Sequence, residues 1–222
     1  MTRREFFLSI ASAAGAGAVP TISQAPLIVP VHLVLDGQAK WRPEQLHYFW
    51  SRIWPEAVRD LASCGIRLQS SLLAGEVWRH SGREPEVTGL DSGVINFVIS
   101  DRIPIEWDNG RALSGVTTRY RGYHLCMVAL NHAHCHQIPL LAVNTCVHEL
   151  LHVLLQDIFE SRPAGWRGET REFRIDLYAT RLWLFHDGAA IRKAARAYIE
   201  RLQSDVSQSV RRGQLPDRPH SG

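Results

Sequence analysis

From Pro139 to about Phe159 the chain reads PLLAVNTCVHELLHVLLQDIF, an apolar stretch with helical periodicity that must pack against a core. Set into it are His148, Glu149 and His152. Two His four apart on a helix project from one face, one turn apart, so both imidazoles can reach one ion. Leu150, Leu151, Val153, Leu154 and Leu155 supply the packing around them. Neutral imidazole is a good zinc donor, and a carboxylate beside the ion can take a proton from its water. The plainer alternative is a helix with one surface His and one packed His.

Around this helix the chain divides into two halves. Leu27 to Leu35 reads as a first strand closed by the turn signal Asp36-Gly37. Pro43 to about Ser63 is helical by the spacing of Leu46, Phe49, Trp50, Ile53, Val58 and Leu61. Gly65 gives it a stop, and Pro55 a kink in its middle. Further strands are predicted at Ile66 to Trp78, Val94 to Ile99 and Tyr123 to Leu130, joined by Gly-rich and polar loops such as the one around Asp108-Asn109-Gly110. Helical patterns then cover Thr170 to His186 and Ala189 to about Leu202, parted by Asp187-Gly188. Strands first and helices after indicate an α+β domain, an N-terminal twisted sheet with one helix followed by the His-bearing and C-terminal helices. Residues 26–205 form that domain and 206–222 a polar, disordered tail.

Downstream, Glu172 follows 20 positions after His152, and Asp176 shares its helix face four positions later. Glu169, one turn earlier, is a rival. HExxH followed at this spacing by ExxxD resembles the gluzincins, the thermolysin-like branch of the zincin metallopeptidases. The resemblance covers about thirty residues at motif level, and the strand–helix–strands order upstream also looks like a zincin N-terminal subdomain. It implies a zincin-like fold with His148, His152 and Glu172 on zinc, Glu149 as general base, and Asp176 as the outer acceptor orienting His148. It also implies that an extended peptide pairs with the strand before the metal helix, here Tyr123 to Leu130. Tyr178 and His186 are candidates for stabilising the developing oxyanion, with packing as the other role for each. The metzincin extension is missing: it needs Gly at position 155 and His at 158, where Leu155 and Ile158 stand. No downstream transition-state histidine matches either, so a compact variant of the branch is the better comparison.

The N-terminus has a separate logic. Thr2-Arg3-Arg4-Glu5-Phe6-Phe7-Leu8 followed by an Ala- and Gly-rich apolar stretch resembles a twin-arginine export signal occupying residues 1–25. That resemblance implies a folded, metal-loaded passenger outside the cytoplasm, periplasmic or secreted. The stretch is short for a membrane span, and nothing later is long and apolar enough, so no stable membrane anchor is expected. In an oxidising compartment Cys64, Cys126, Cys135 and Cys146 allow two bridges in three connectivities; small buried thiols are the alternative. His132, His134 and His136 share one face if extended, yet they stand just before Pro139, where a surface loop, a cleft rim or a second metal all remain open. A formal charge of +3 points to no nucleic-acid partner, and Arg192, Lys193, Arg196 and Arg201 read as a solvated basic face. Oligomeric state is not written in any of these features.

The sequence thus predicts a zinc-dependent hydrolase acting on a peptide or protein substrate. Its rivals are a zinc-holding binding protein without hydrolysis and a metal hydrolase with a non-peptide substrate. The export reading has its own test. Arg3→Lys with Arg4→Lys is expected to leave the precursor in the cytoplasmic fraction on immunoblotting; undiminished export of the double variant would assign another route.

Overall fold

The structure, a computed structural model, describes residues 25–40, 42–78, 85–104, 114–130, 139–155, 179 and 187–211. It is a mixed α+β fold built on a mostly parallel sheet. Strand β1 (Leu27–Asp36) leads into helix α1 (Pro43–Tyr48), a π-helical turn (Phe49–Ile53) and helix α2 (Trp54–Ser63), which return the chain to β2 (Ile66–Gly75). Then follow β3 (Val77–Trp78), β4 (Glu86–Val87), β5 (Ile95–Ser100), β6 (Gly115–Tyr120) and β7 (Tyr123–Ala129). Helices α3 (Pro139–Leu154) and α4 (Gly188–Arg211) complete the described elements.

Five strands form one sheet in the order β2-β1-β5-β7-β6. The first four are mutually parallel, and β6 runs antiparallel to β7 at the edge. Parallel neighbours need crossover connections, and the helical segment between β1 and β2 is one. β5 is buried along its whole length and β7 at all but its first residue, as expected of inner strands covered on both faces. On one face Val31, Leu33, Phe97, Ile99, Cys126 and Val128 meet the helices; on the other Val34, Val98, Leu125 and Met127 meet Val77, Val87 and Ile103.

Local chemistry explains most of the boundaries. Pro55 has no N–H to give, and its ring would crowd the carbonyl one turn earlier. The helix widens just before it, with the Trp54 N–H bonded to the Phe49 carbonyl, so the predicted kink takes the form of a π turn. Gly65, at φ +80, ends α2 as expected. β2 stops at Gly75, short of the predicted Trp78, where its partner β1 also ends at Asp36; a Cβ at Gly75 would meet the Val34 side chain and the Thr88 carbonyl. Val77 and Trp78 pair instead with β4. α4 continues to Arg211, past the expected end at Leu202, since neither Gly nor Pro interrupts it before Gly213. Within it Arg192 is buried while Lys193, Arg196 and Arg201 are exposed, so the expected basic face is three residues rather than four.

Asp36 closes β1 as the turn signal suggested, but it does so from inside. Fully buried, its Oδ1 accepts the backbone N–H groups of Gln38 (2.9 Å) and Val77 (3.1 Å), and its Oδ2 accepts the Ser100 hydroxyl at 2.6 Å. A buried carboxylate is tolerable only when supplied with donors in this way. It ties the ends of β1 and β5 to the start of β3. No described helix is long and apolar enough to cross a membrane.

Cys64, Cys126 and Cys146 are buried thiols without disulfides; Cys135 lies outside the described residues. Burial pushes the Cys64 thiol up to about 11 and raises that of Cys126 further. Thiolate is the reactive form, so at pH 8 only about a thousandth of Cys64 would be ionised. Iodoacetamide at pH 8 is therefore expected to spare Cys64, Cys126 and Cys146 in the folded chain and to label all three in guanidinium without reductant. Labelling that requires reductant would contradict the free-thiol assignment.

Candidate functional site

α3 lies on β6 and β7 and against α2, the π turn and α4. Of its residues from Ala142 on, all are buried except Asn144, Thr145, His148 and His152. Those four form one stripe, because positions three and four apart stack along a helix. Among its described side chains the helix thus has a single partly open line, and both His stand on it.

Their imidazoles converge. His148 Nε2 and His152 Nε2 are 2.9 Å apart, with ring centroids at 4.6 Å and planes inclined by 69°. Two nitrogens on one tetrahedral zinc at bond lengths of about 2.0–2.1 Å would stand roughly 3.3–3.4 Å apart. A small rotation of either ring would open the pair to that separation, so these donors suit a divalent ion. At 2.9 Å they also suit a hydrogen bond between two neutral rings.

Glu149 faces a different neighbour. Its residue is only 5 % exposed, and its carboxylate lies under the edge strand β6. The Thr117 hydroxyl is 2.6 Å from Glu149 Oε2 and 3.0 Å from the Glu149 carbonyl oxygen. Cys126, the register partner of Thr117 on β7, places Sγ 3.3 Å from the same carbonyl. Burial raises the Cys126 thiol and keeps it protonated. Gly115, two residues before Thr117 on the same face, approaches the helix so closely that a Cβ would lie 2.6 Å from Glu149 Oε1 and 2.8 Å from Thr145 Cγ2.

The hairpin that sets this contact turns at Arg121 and Gly122, both with positive φ (47° and 87°). Two such residues between paired Tyr120 and Tyr123 make a type I′ connection, whose twist matches the strands. Sequence reading assigned residues 115–120 to a loop and so missed Gly115 and Thr117. The signal was there: Val116, Thr117 and Thr118 are β-formers, and a two-residue turn precedes the apolar strand.

The structure brings His148, Glu149 and His152 to adjoining positions of one helix as predicted. Glu172, Asp176, Glu169, Tyr178 and His186, together with the His132–His136 stretch, lie outside the described residues. Among the described residues no three His, Cys, Asp or Glu gather as an ion-holding group. One expectation is corrected. β7 cannot receive an extended peptide, because β5 and β6 occupy both its edges.

Comparison with protein-family models, curated proteins and solved structures finds no match to this chain.

The His pair is open to direct test. Equilibrated with zinc and freed of excess, the chain is expected to retain about one ion by emission spectroscopy. His148→Ala, His152→Ala and Glu172→Ala should each lose most of it, and Glu169→Ala should not. Full occupancy in either His variant would remove the pair from any metal site, and full occupancy in Glu172→Ala would remove the third ligand.

Proposed function

We propose that this chain is a zinc-dependent hydrolase acting on peptide bonds, with a compact zincin-like architecture. The observation that carries the reading is the 2.9 Å convergence of His148 and His152 on the one partly open stripe of a buried helix, with Glu149 held beside them. His148 and His152 would hold the ion with Glu172, and Asp176 would orient the His148 ring. The ordering of strand, helix, strands and His-bearing helix supports the same comparison.

When bound, zinc would polarise the scissile carbonyl and make water a competent nucleophile near neutral pH. Glu149 would take the proton of the attacking water as general base and pass it to the departing amine. Its seat suits that work: a carboxylate fixed by a hydroxyl and enclosed by backbone keeps one orientation between turnovers. An extended substrate would pair with β6, the edge strand beside α3, in place of the interior β7. The twin-arginine-like N-terminus supports placing this activity outside the cytoplasm.

Glu149→Gln isolates the chemistry from the metal. The amide keeps the size but is no base, so hydrolysis of a quenched-fluorescent peptide library should fall by about 10²–10⁴-fold with zinc content unchanged. Equal turnover by wild type and Glu149→Gln would contradict the mechanism. A fully zinc-loaded wild type that cleaves no peptide would favour either a binding protein on this scaffold or a hydrolase of small amides and esters, and a screen of such compounds separates the two.

A further inference from the structure

We propose that the edge strand β6 positions the general base: Thr117 fixes one carboxylate oxygen of Glu149, and Gly115 provides the backbone clearance the other requires. The inference rests on the hydrolase reading above and adds two positioning residues to it.

The Thr117 hydroxyl has one proton and three acceptors within range: Glu149 Oε2 at 2.6 Å, the Glu149 carbonyl at 3.0 Å and Cys126 Sγ at 3.6 Å. Oε2 is the nearest of the three, at a separation typical of a short O–H···O hydrogen bond, and the other two acceptors stand farther off. The proton therefore goes to Oε2. The Glu149 carbonyl is served by the Cys126 thiol at 3.3 Å, a group kept protonated by burial. Cross-strand partners thus divide the work, one holding the side chain of Glu149 and the other its backbone.

Geometry gives Gly115 its part. Side chains alternate along a strand, so Gly115 and Thr117 face α3 together. Any side chain at 115 would meet Oε1, Cγ of Glu149 and the Thr145 methyl at 2.6–2.9 Å, closer than carbon can stand. Glu149 would have to leave the rotamer in which Thr117 reaches it. The strand is itself held in place: a one-residue slip of the β6–β7 hairpin would turn Thr117 to the far face, and the Arg121-Gly122 turn fixes the register against that slip.

A glutamate has three side-chain torsions, and misplacing a catalytic group by about 1 Å can cost 10²-fold in rate. The test uses the zinc-loaded full chain with Thr117→Val, which keeps the shape and removes the hydroxyl, and Thr117→Ser, which restores it. Against a quenched-fluorescent peptide, Thr117→Val should lower kcat about 10–100-fold with KM and zinc content within about two-fold of wild type. Thr117→Ser should recover most of the rate. In the Glu149→Gln background Thr117→Val should cause little further loss, and Gly115→Ala should resemble Thr117→Val. Urea unfolding gives a readout free of turnover: the two substitutions Thr117→Val and Glu149→Gln should be non-additive in stability.

An unchanged kcat in Thr117→Val, a serine variant no better than the valine, or additive stabilities would each overturn the inference and leave the hydrolase reading standing. A zinc-loaded wild type that cleaves no peptide would instead overturn the peptidase reading, and this inference with it.

Discussion

Everything around the candidate site depends on burying α3. Val147, Leu150, Leu151, Val153 and Leu154 are all inside, and each such side chain taken from water contributes roughly 1.5–3 kcal/mol. A helix enclosed this fully cannot accept polar residues at random. Its imidazoles sit where the stripe through Asn144 and Thr145 reaches partial exposure, and its carboxylate sits where a strand supplies a donor. The hydrophobic contact fixes the helix; the fixed helix then fixes where three polar groups point. A shift of α3 along β6 by one residue would separate Glu149 from Thr117 and the His stripe from its opening together.

The far face of the sheet follows a different rule. Asn96 is fully buried, accepts the Asp91 N–H at 2.8 Å and donates to the carbonyls of Asp91 and His124 at 2.9 and 3.3 Å. With the Asp36 and Ser100 bond it makes a second group of buried polar residues. These bonds join strand ends to neighbouring loops. They tie β1 to β5 and β5 to β7, the last of which lies under α3. Satisfied polar groups inside a core cost little and specify one register, whereas an unsatisfied one would cost about 1–3 kcal/mol.

Much of this arrangement was legible in the sequence because it rests on local pattern. β1, β5, β7 and α3 are continuous apolar or helically spaced runs, and the i, i+4 His pair needs nothing beyond helix geometry. What escaped was of two kinds. β6 is an edge strand of mixed composition, four of its six residues half-buried, so it lacks the apolar run that marks its neighbours. Thr117 and Glu149 are separated by 32 residues, and no spacing rule links a strand hydroxyl to a helix carboxylate. The cysteines show the same limit from another side: counting them permits bridges, while only packing reveals that Cys64, Cys126 and Cys146 lie within the apolar core. Arg192 likewise shared a helical pattern with Lys193 and Arg196 but was buried by its place in the fold, near Cys64.

Under the proposed function, His148 and His152 would converge on a shared metal ion. Zinc K-edge absorption of the zinc-loaded chain measures that sharing directly. The expected spectrum has a first shell of nitrogen and oxygen only, at about 2.0–2.1 Å, with the outer-shell scattering of two imidazoles. A first shell containing sulfur at about 2.3 Å, or outer-shell scattering from fewer than two imidazoles, would contradict it.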